Sequence, residues 1–209
     1  MIVDCGVEAL RARLPQTPPD LPLKPLRSDY DLNPHLSRIA QELVPAAVLL
    51  PVIQRSEPTL LFTRRTAHLA RHAGQVSFPG GRWHPADSSL TTTALRETQE
   101  ETGIETERVA VAGFLDPYET GTGFAILPVI GLIEEGFSLR PDPQEVAEIF
   151  EVPLAFVLDA ENCQTRSGEW RGRQREFYAF AWRSHTIWGA TAAILVNLRE
   201  RLSVPDSPQ

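Results

Sequence analysis

Five prolines crowd into the stretch Pro15, Pro18, Pro19, Pro22 and Pro25, and they deny the start of this chain any continuous helix. Each fixes its own φ and removes a backbone donor, so the stretch reads as an extended linker. A short helical pattern, Val7 to Leu14, precedes it. The spacing after it predicts a second helix over Pro34 to Leu43, with Asn33 as N-cap and the proline in the first turn. The compact domain is expected to start near Pro45. Residues 1–44 then form an N-terminal helical and proline-rich extension packed on the domain, 45–202 the domain itself, and 203–209 a frayed tail.

Past Pro45 the pattern alternates between short apolar runs and helical segments. Ala46 to Ile53 and Leu60 to Thr63 read as strands paired across the turn Gln54 to Thr59. A loop from Thr66 to Gly74 leads to the short strand Gln75 to Phe78, which ends at Pro79-Gly80-Gly81. Ser89 to Thr102 reads as a helix capped by Ser88 or Ser89, with Gly103 just past its end. Strands follow at Val109 to Leu115 and Ala125 to Glu134. Glu145 to Asp159 combines a strand with a short helix near Pro153, and Cys163 to Trp182 is a hairpin turning around Gly172. Trp188 to Leu202 is the last helix. Strands scattered among helices make a mixed α+β domain.

Composition narrows the function classes. With 42% hydrophobic residues the chain can build a core without metal or disulfide, and a net charge of -7 argues against a bulk nucleic-acid binder. Two cysteines, Cys5 and Cys163, stand outside any metal-ligand spacing, and Cys163 reads as packing. No signal peptide and no apolar run of roughly 20 residues is present, so the expectation is a cytoplasmic protein with no membrane partner.

The chemistry concentrates in Arg96-Glu97-Thr98-Gln99-Glu100-Glu101-Thr102-Gly103-Ile104. On a helix Glu97 and Glu101 lie one turn apart with Glu100 beside them, so three carboxylates share an arc of roughly 100°. A solvated acidic face is the common meaning of such a run, since like charges at this spacing weaken a helix only slightly. The neighbours favour another meaning. Pro79-Gly80-Gly81 lies just upstream, where glycine lets backbone approach an ion or phosphate. Clustered oxygen ligands on a rigid helix suit a hard cation together with substrate phosphates. Ala94, Leu95 and Thr98 on the other side suit packing on a sheet.

The stretch Gly81 to Ile104 resembles the box of the Nudix hydrolase superfamily, G-x5-E-x7-R-E-U-x-E-E-x-G-U, with U aliphatic. Arg96-Glu97, Glu100-Glu101 and Gly103-Ile104 match its second half, and Thr98 replaces the aliphatic residue. Ser88 stands where the first glutamate is usual, and Gly81 sits one residue upstream of its place. Asp87, next to Ser88, can substitute electrostatically. The resemblance implies a Nudix fold, an α/β/α sandwich with a mixed central sheet and the catalytic helix packed on it. It also implies Glu97 and Glu101 as principal ligands of Mg2+ or Mn2+, and Glu100 as a further ligand or water-orienting group. Arg96 would hold a glutamate by an ion pair, and the Gly81 carbonyl would complete the metal shell.

Two further stretches, Leu61-Phe62-Thr63-Arg64-Arg65-Thr66 and His68 to Gly81, resemble the signature of coenzyme A pyrophosphatases within that superfamily. Phe62, Thr66 and Ala70 depart from its usual residues. Ile187-Trp188-Gly189-Ala190-Thr191-Ala192 is similar to the start of that family's final helix. The implied reaction is metal-dependent hydrolysis of the pyrophosphate of coenzyme A or a derivative, giving 4′-phosphopantetheine and adenosine 3′,5′-bisphosphate. Arg64, Arg65, Arg71, His68 and His72 are the candidate contacts to the substrate's phosphates, because arginine recognises phosphate through bidentate forks. His68 and His72 at i,i+4 lack a third ligand for zinc. Two alternatives remain at this stage: a Nudix pyrophosphatase acting on ADP-ribose, NADH or a dinucleoside polyphosphate, and a non-catalytic nucleotide-binding module of the same fold.

Overall fold

The computed structural model describes residues 7–38, 42–68, 72–170 and 172–203. Its elements are α1 (Val7–Arg13), β1 (Arg27–Ser28), β2 (Val44–Ile53), β3 (Thr59–Arg65), β4 (Val76–Ser77), β5 (Gly80–Arg82) and α2 (Leu90–Thr102). Then follow β6 (Val109–Phe114), β7 (Tyr118–Glu119), β8 (Phe124–Ile133), β9 (Val146–Pro153), α3 (Leu154–Leu158), β10 (Cys163–Trp170), β11 (Arg173–Trp182), β12 (His185–Trp188) and α4 (Ala190–Ser203).

The central sheet is mixed. Its path runs β1-β7-β8-β2-β3-β4, with β5 on β2, β6 on β8 and β9 on β3; β10, β11 and β12 form a separate antiparallel sheet. The spine is the parallel pair β2–β8, in register from Val44↔Phe124 to Ile53↔Ile133. Both faces of this pair are covered, which explains its near-continuous apolar sequence. On one face Ala47, Leu49, Leu127 and Val129 pack against Leu90 and Ala94 of α2. On the other, Leu50, Val52 and Ile130 meet Leu195 and Leu198 of α4 and Phe180 and Ile187 of the second sheet.

Strand β2 contains Pro45 and Pro51, residues that central strands normally exclude. The sheet's branching removes the conflict. Leu49 donates its N–H to the Pro79 carbonyl at 2.9 Å. Pro51, two residues on, points the same way, into the gap between β5, which pairs only with Ala46–Val48, and β3, which pairs only with Val52–Ile53. Neither strand pairs with Pro51 on that side.

Helix α2 begins and ends as its sequence dictates. The Ser89 side chain accepts from Thr92 N, and Gly103 closes the helix at φ 78°. Thr98, fully buried, donates its hydroxyl to the Ala94 carbonyl at 2.7 Å, which lets a polar residue occupy an apolar position.

Three expectations need correction. Residues 34–38 and 42–43 form no helix, and 39–41 lie outside the described residues. Asn33 does not cap, because its side chain is spent elsewhere: Nδ2 donates to Asp29 O and Glu176 O, and Oδ1 accepts from Glu176 N at 2.7 Å. The last helix starts at Ala190, since His185–Trp188 forms β12 and Gly189 turns the chain at φ 65°. β12 itself was not anticipated. The expected frayed tail lies outside the described residues beyond Ser203, and Ser203 ends α4.

The N-terminal stretch lies on the rest of the fold. Leu10 and Leu14 join the α4-side core, Leu23 joins the α2-side core, and β1 pairs in parallel with β7.

Candidate active site

The glutamate face of α2 looks onto β5. A Cβ added to Gly81 would stand 2.4 Å from Glu97 Cδ and 2.6 Å from each of its carboxylate oxygens. Only glycine allows this approach of strand to side chain. One turn further along, Glu101 is buried, 5% exposed, and the Gly80 amide faces its carboxylate. Burial pushes the Glu101 carboxyl up to about 8, with Glu97 and Glu145 adding repulsion against the opposing pull of Arg65. Burial also raises the Glu97 carboxyl.

Arg96 organises the outer side of this face. Its guanidinium donates to both oxygens of Asp87 at 3.0 Å, Nη2 reaches Glu97 Oε1 at 2.9 Å, and Nη1 reaches Glu100 Oε2 at 2.9 Å. Asp87 is itself buried and accepts from Thr93 Oγ1 at 2.9 Å. The Arg96 fork, ahead of the Thr93 and His84 donors, lowers the Asp87 carboxyl to about 2. The aspartate beside Ser88 therefore anchors Arg96.

The three glutamates do not converge as the helical arc suggested. Glu100 is exposed and engaged with Arg96, and among the described residues no group of three or more His, Cys, Asp or Glu is gathered to hold a metal ion. The reason is angular: Glu97 and Glu101 face β5, while Glu100, about 100° around the helix from Glu101, points to solvent.

A carboxylate pair still fits Mg2+ or Mn2+. Such ions are held by one or two carboxylates, with water and substrate phosphate completing the shell. The fit rests on one observation. Among the described residues, Glu101 Oε2 and Arg65 Nε are buried with no hydrogen-bond partner, a costly arrangement for a protein interior unless a ligand uses it. Arg65 Nη1 lies 3.9 Å from Glu101 Oε1, and Arg65 Nη2 lies 3.6 Å from Glu145 Oε2.

The phosphate-binding candidates separate. Arg65 is brought to the glutamates. Arg64 is turned away, with Nε on Glu148 Oε2 at 2.9 Å, and Glu148 Oε1 is 3.2 Å from His185 Nε2. Successive strand residues face opposite sides, so Arg64 and Arg65 diverge. His68 and His72 are exposed, and His72 Nδ1 is 2.8 Å from Gln75 Oε1. Arg71 lies outside the described residues.

Sequence reasoning missed Glu145. It precedes β9, and its carbonyl accepts from Thr66 N at 2.9 Å, so its place at the site is set by β3–β9 pairing across about eighty residues. No local motif carries that signal.

Comparison with known proteins agrees with this geometry. The model of the NUDIX domain matches residues 43–178. A protein described as an uncharacterized Nudix hydrolase, NudL, from Photorhabdus laumondii is 43% identical over 178 residues, spanning 85% of this chain and 95% of its own. Its counterpart from Yersinia enterocolitica is 42% identical over 159 residues, 76% of this chain and 82% of its own. Among solved structures, a MutT/nudix family protein from Enterococcus faecalis superposes with a TM-score of 0.50 at 17% identity, covering 80% of this chain and 64% of that one. This last likeness concerns the fold alone.

Proposed function

The chain belongs to the Nudix family, and from that premise we propose that it cleaves the pyrophosphate bond of coenzyme A or a derivative of it. Its class, a Nudix hydrolase acting on phosphoanhydrides, follows from the family. The choice of coenzyme A rests on the residues ahead of the box, Leu61 to Thr66 and His68 to Gly81, and on Ile187 to Ala192.

The observation that carries the catalytic reading is the buried Glu101 carboxylate, unpartnered at Oε2 and paired with Glu97 against β5. In this reading Glu97 and Glu101 would hold Mg2+ or Mn2+. The ion, when bound, supplies Lewis acidity toward the phosphoryl oxygens and makes a bound water more acidic. Arg96, fixed by Asp87, keeps Glu97 facing β5. Glu100 is free to serve the site only by leaving Arg96. Arg65 meets the charge of the pyrophosphate, since its buried Nε lacks a partner. The products are 4′-phosphopantetheine and adenosine 3′,5′-bisphosphate.

The test is turnover of coenzyme A, ADP-ribose and NADH with Mg2+ or Mn2+, by wild type and Glu101→Gln. Coenzyme A should be hydrolysed far better than the others. Glu101→Gln should lose at least about a hundredfold in rate, because a neutral amide ligates a hard cation poorly. Equal use of all three compounds would remove the coenzyme A assignment, and full activity in the variant would remove the metal assignment.

A further inference from the structure

Of the arginines named so far, Arg64, Arg65 and Arg96 each face a carboxylate. Arg82, the residue after Gly81, does not. Among the described residues its exposed guanidinium meets no acidic side chain and lies over the Phe124 ring, 5.2 Å from the centroid. A guanidinium held over an aromatic ring keeps both its charge and its N–H donors, ready for an anion.

Its position links it to the site. In β5, Gly81 faces Glu97, so Arg82 projects to the opposite face of the strand. Arg82 pairs with Ala46 and Phe124 with Val44, which sets the stack on the α4 side of the sheet, beside the partly buried Val48 and Ile126. Among the described residues, β5 pairs along one edge only, with β2. A ligand lying across its other edge reaches the carboxylates on one side and Arg82 on the other.

We propose that Arg82 is a specificity-determining residue that binds a phosphate of the substrate other than the two that are cleaved apart. The required substrate is a nucleoside diphosphate derivative bearing an additional phosphomonoester on its ribose. The inference rests on the reading of this centre as a pyrophosphatase, and it deepens that reading. Coenzyme A carries such a group as its 3′-phosphate, whereas ADP-ribose and NADH do not. Phe124 positions the guanidinium, and the apolar surface of Val48 and Ile126 offers a floor for the adjoining nucleoside.

The experiment compares coenzyme A with 3′-dephospho-coenzyme A in wild type, Arg82→Ala and Arg82→Lys, with thermal melting as a check on folding. Losing a charge-assisted contact should lower kcat/KM for coenzyme A by about ten- to a hundredfold in Arg82→Ala. The dephospho compound should be nearly unaffected, and Arg82→Lys should recover part of the loss. Equal losses on both compounds, or none on either, would overturn the assignment. Calorimetry with adenosine 3′,5′-bisphosphate and AMP separates this question from that of the substrate. Should neither coenzyme A compound be turned over, the proposed function fails. Arg82 would then stand only if the bisphosphate binds more tightly than AMP in wild type and this advantage disappears in Arg82→Ala.

Discussion

Adding one methyl group at Gly81 should damage the chemistry while leaving the fold standing. The new Cβ would lie 2.4 Å from Glu97 Cδ and 2.6 Å from both its oxygens. Carbon contacts settle near about 3.5 Å, so the carboxylate must retreat by roughly 1 Å. It is the end of a flexible side chain and can yield at little cost. Gly81→Ala should therefore melt within about 3 °C of wild type. A displacement of that size at a catalytic ligand costs on the order of a hundredfold in rate, and metal affinity should fall with it. Gly80→Ala is the contrasting control. There the Cβ meets the Ala47 carbonyl oxygen at 2.4 Å and Val48 Cα at 2.6 Å, backbone atoms that cannot step aside, at a φ of +154°. Overpacking and backbone strain together should cost at least about 3 kcal/mol, lowering Tm by about 10 °C. Measured kcat/KM, metal calorimetry and thermal melting decide between the two. A Gly81→Ala protein with native turnover and native metal affinity would refute the claim that Glu97 acts from its place against β5.

In a chelator at neutral pH, Glu101→Gln should melt a few degrees above wild type, because the amide escapes the cost of burying a carboxyl that burial pushes up to about 8; an unchanged or lower Tm would contradict it. Added Mg2+ should raise the wild-type Tm and leave the variant's where it was. Asp87→Asn should weaken the fold by about 1–3 kcal/mol at neutral pH, since it breaks the Arg96 fork. The Asp87 carboxyl is depressed to about 2, so its contribution is present above the unfolded value near 4 and lost as pH falls through about 2. Acid titration of stability should show that loss in wild type and a smaller one in the variant. Asn33→Ala removes two hydrogen bonds that tie the N-terminal stretch to β11, and one within that stretch to Asp29 O, and should cost about 2–4 kcal/mol in urea unfolding.

Local sequence decided the parts of this protein that depend on neighbours along the chain. Helix α2 and its Gly103 stop rest on hydrogen bonds within a few residues and follow from the sequence alone, which narrowed the cap to Ser88 or Ser89; the structure makes it Ser89. The β10–β11 hairpin around Gly172 and the pairing of Glu97 with Glu101 on one helical face follow from the sequence as well. The box motif pointed to this face because its glutamates come from one turn of one helix.

Tertiary structure decided the rest, wherever a side chain's partner is remote. Asn33 looks like a cap in sequence, yet backbone of β11 claims it. Arg64 and Arg65 read as equivalent, and a strand's two faces send one to Glu148 and the other to Glu101. Glu145 arrives only because β9 pairs with β3, and Arg82 finds Phe124 only because β5 and β8 flank β2. Periodicity names the face a residue occupies within its own element, but what that face meets is settled when the sheet assembles.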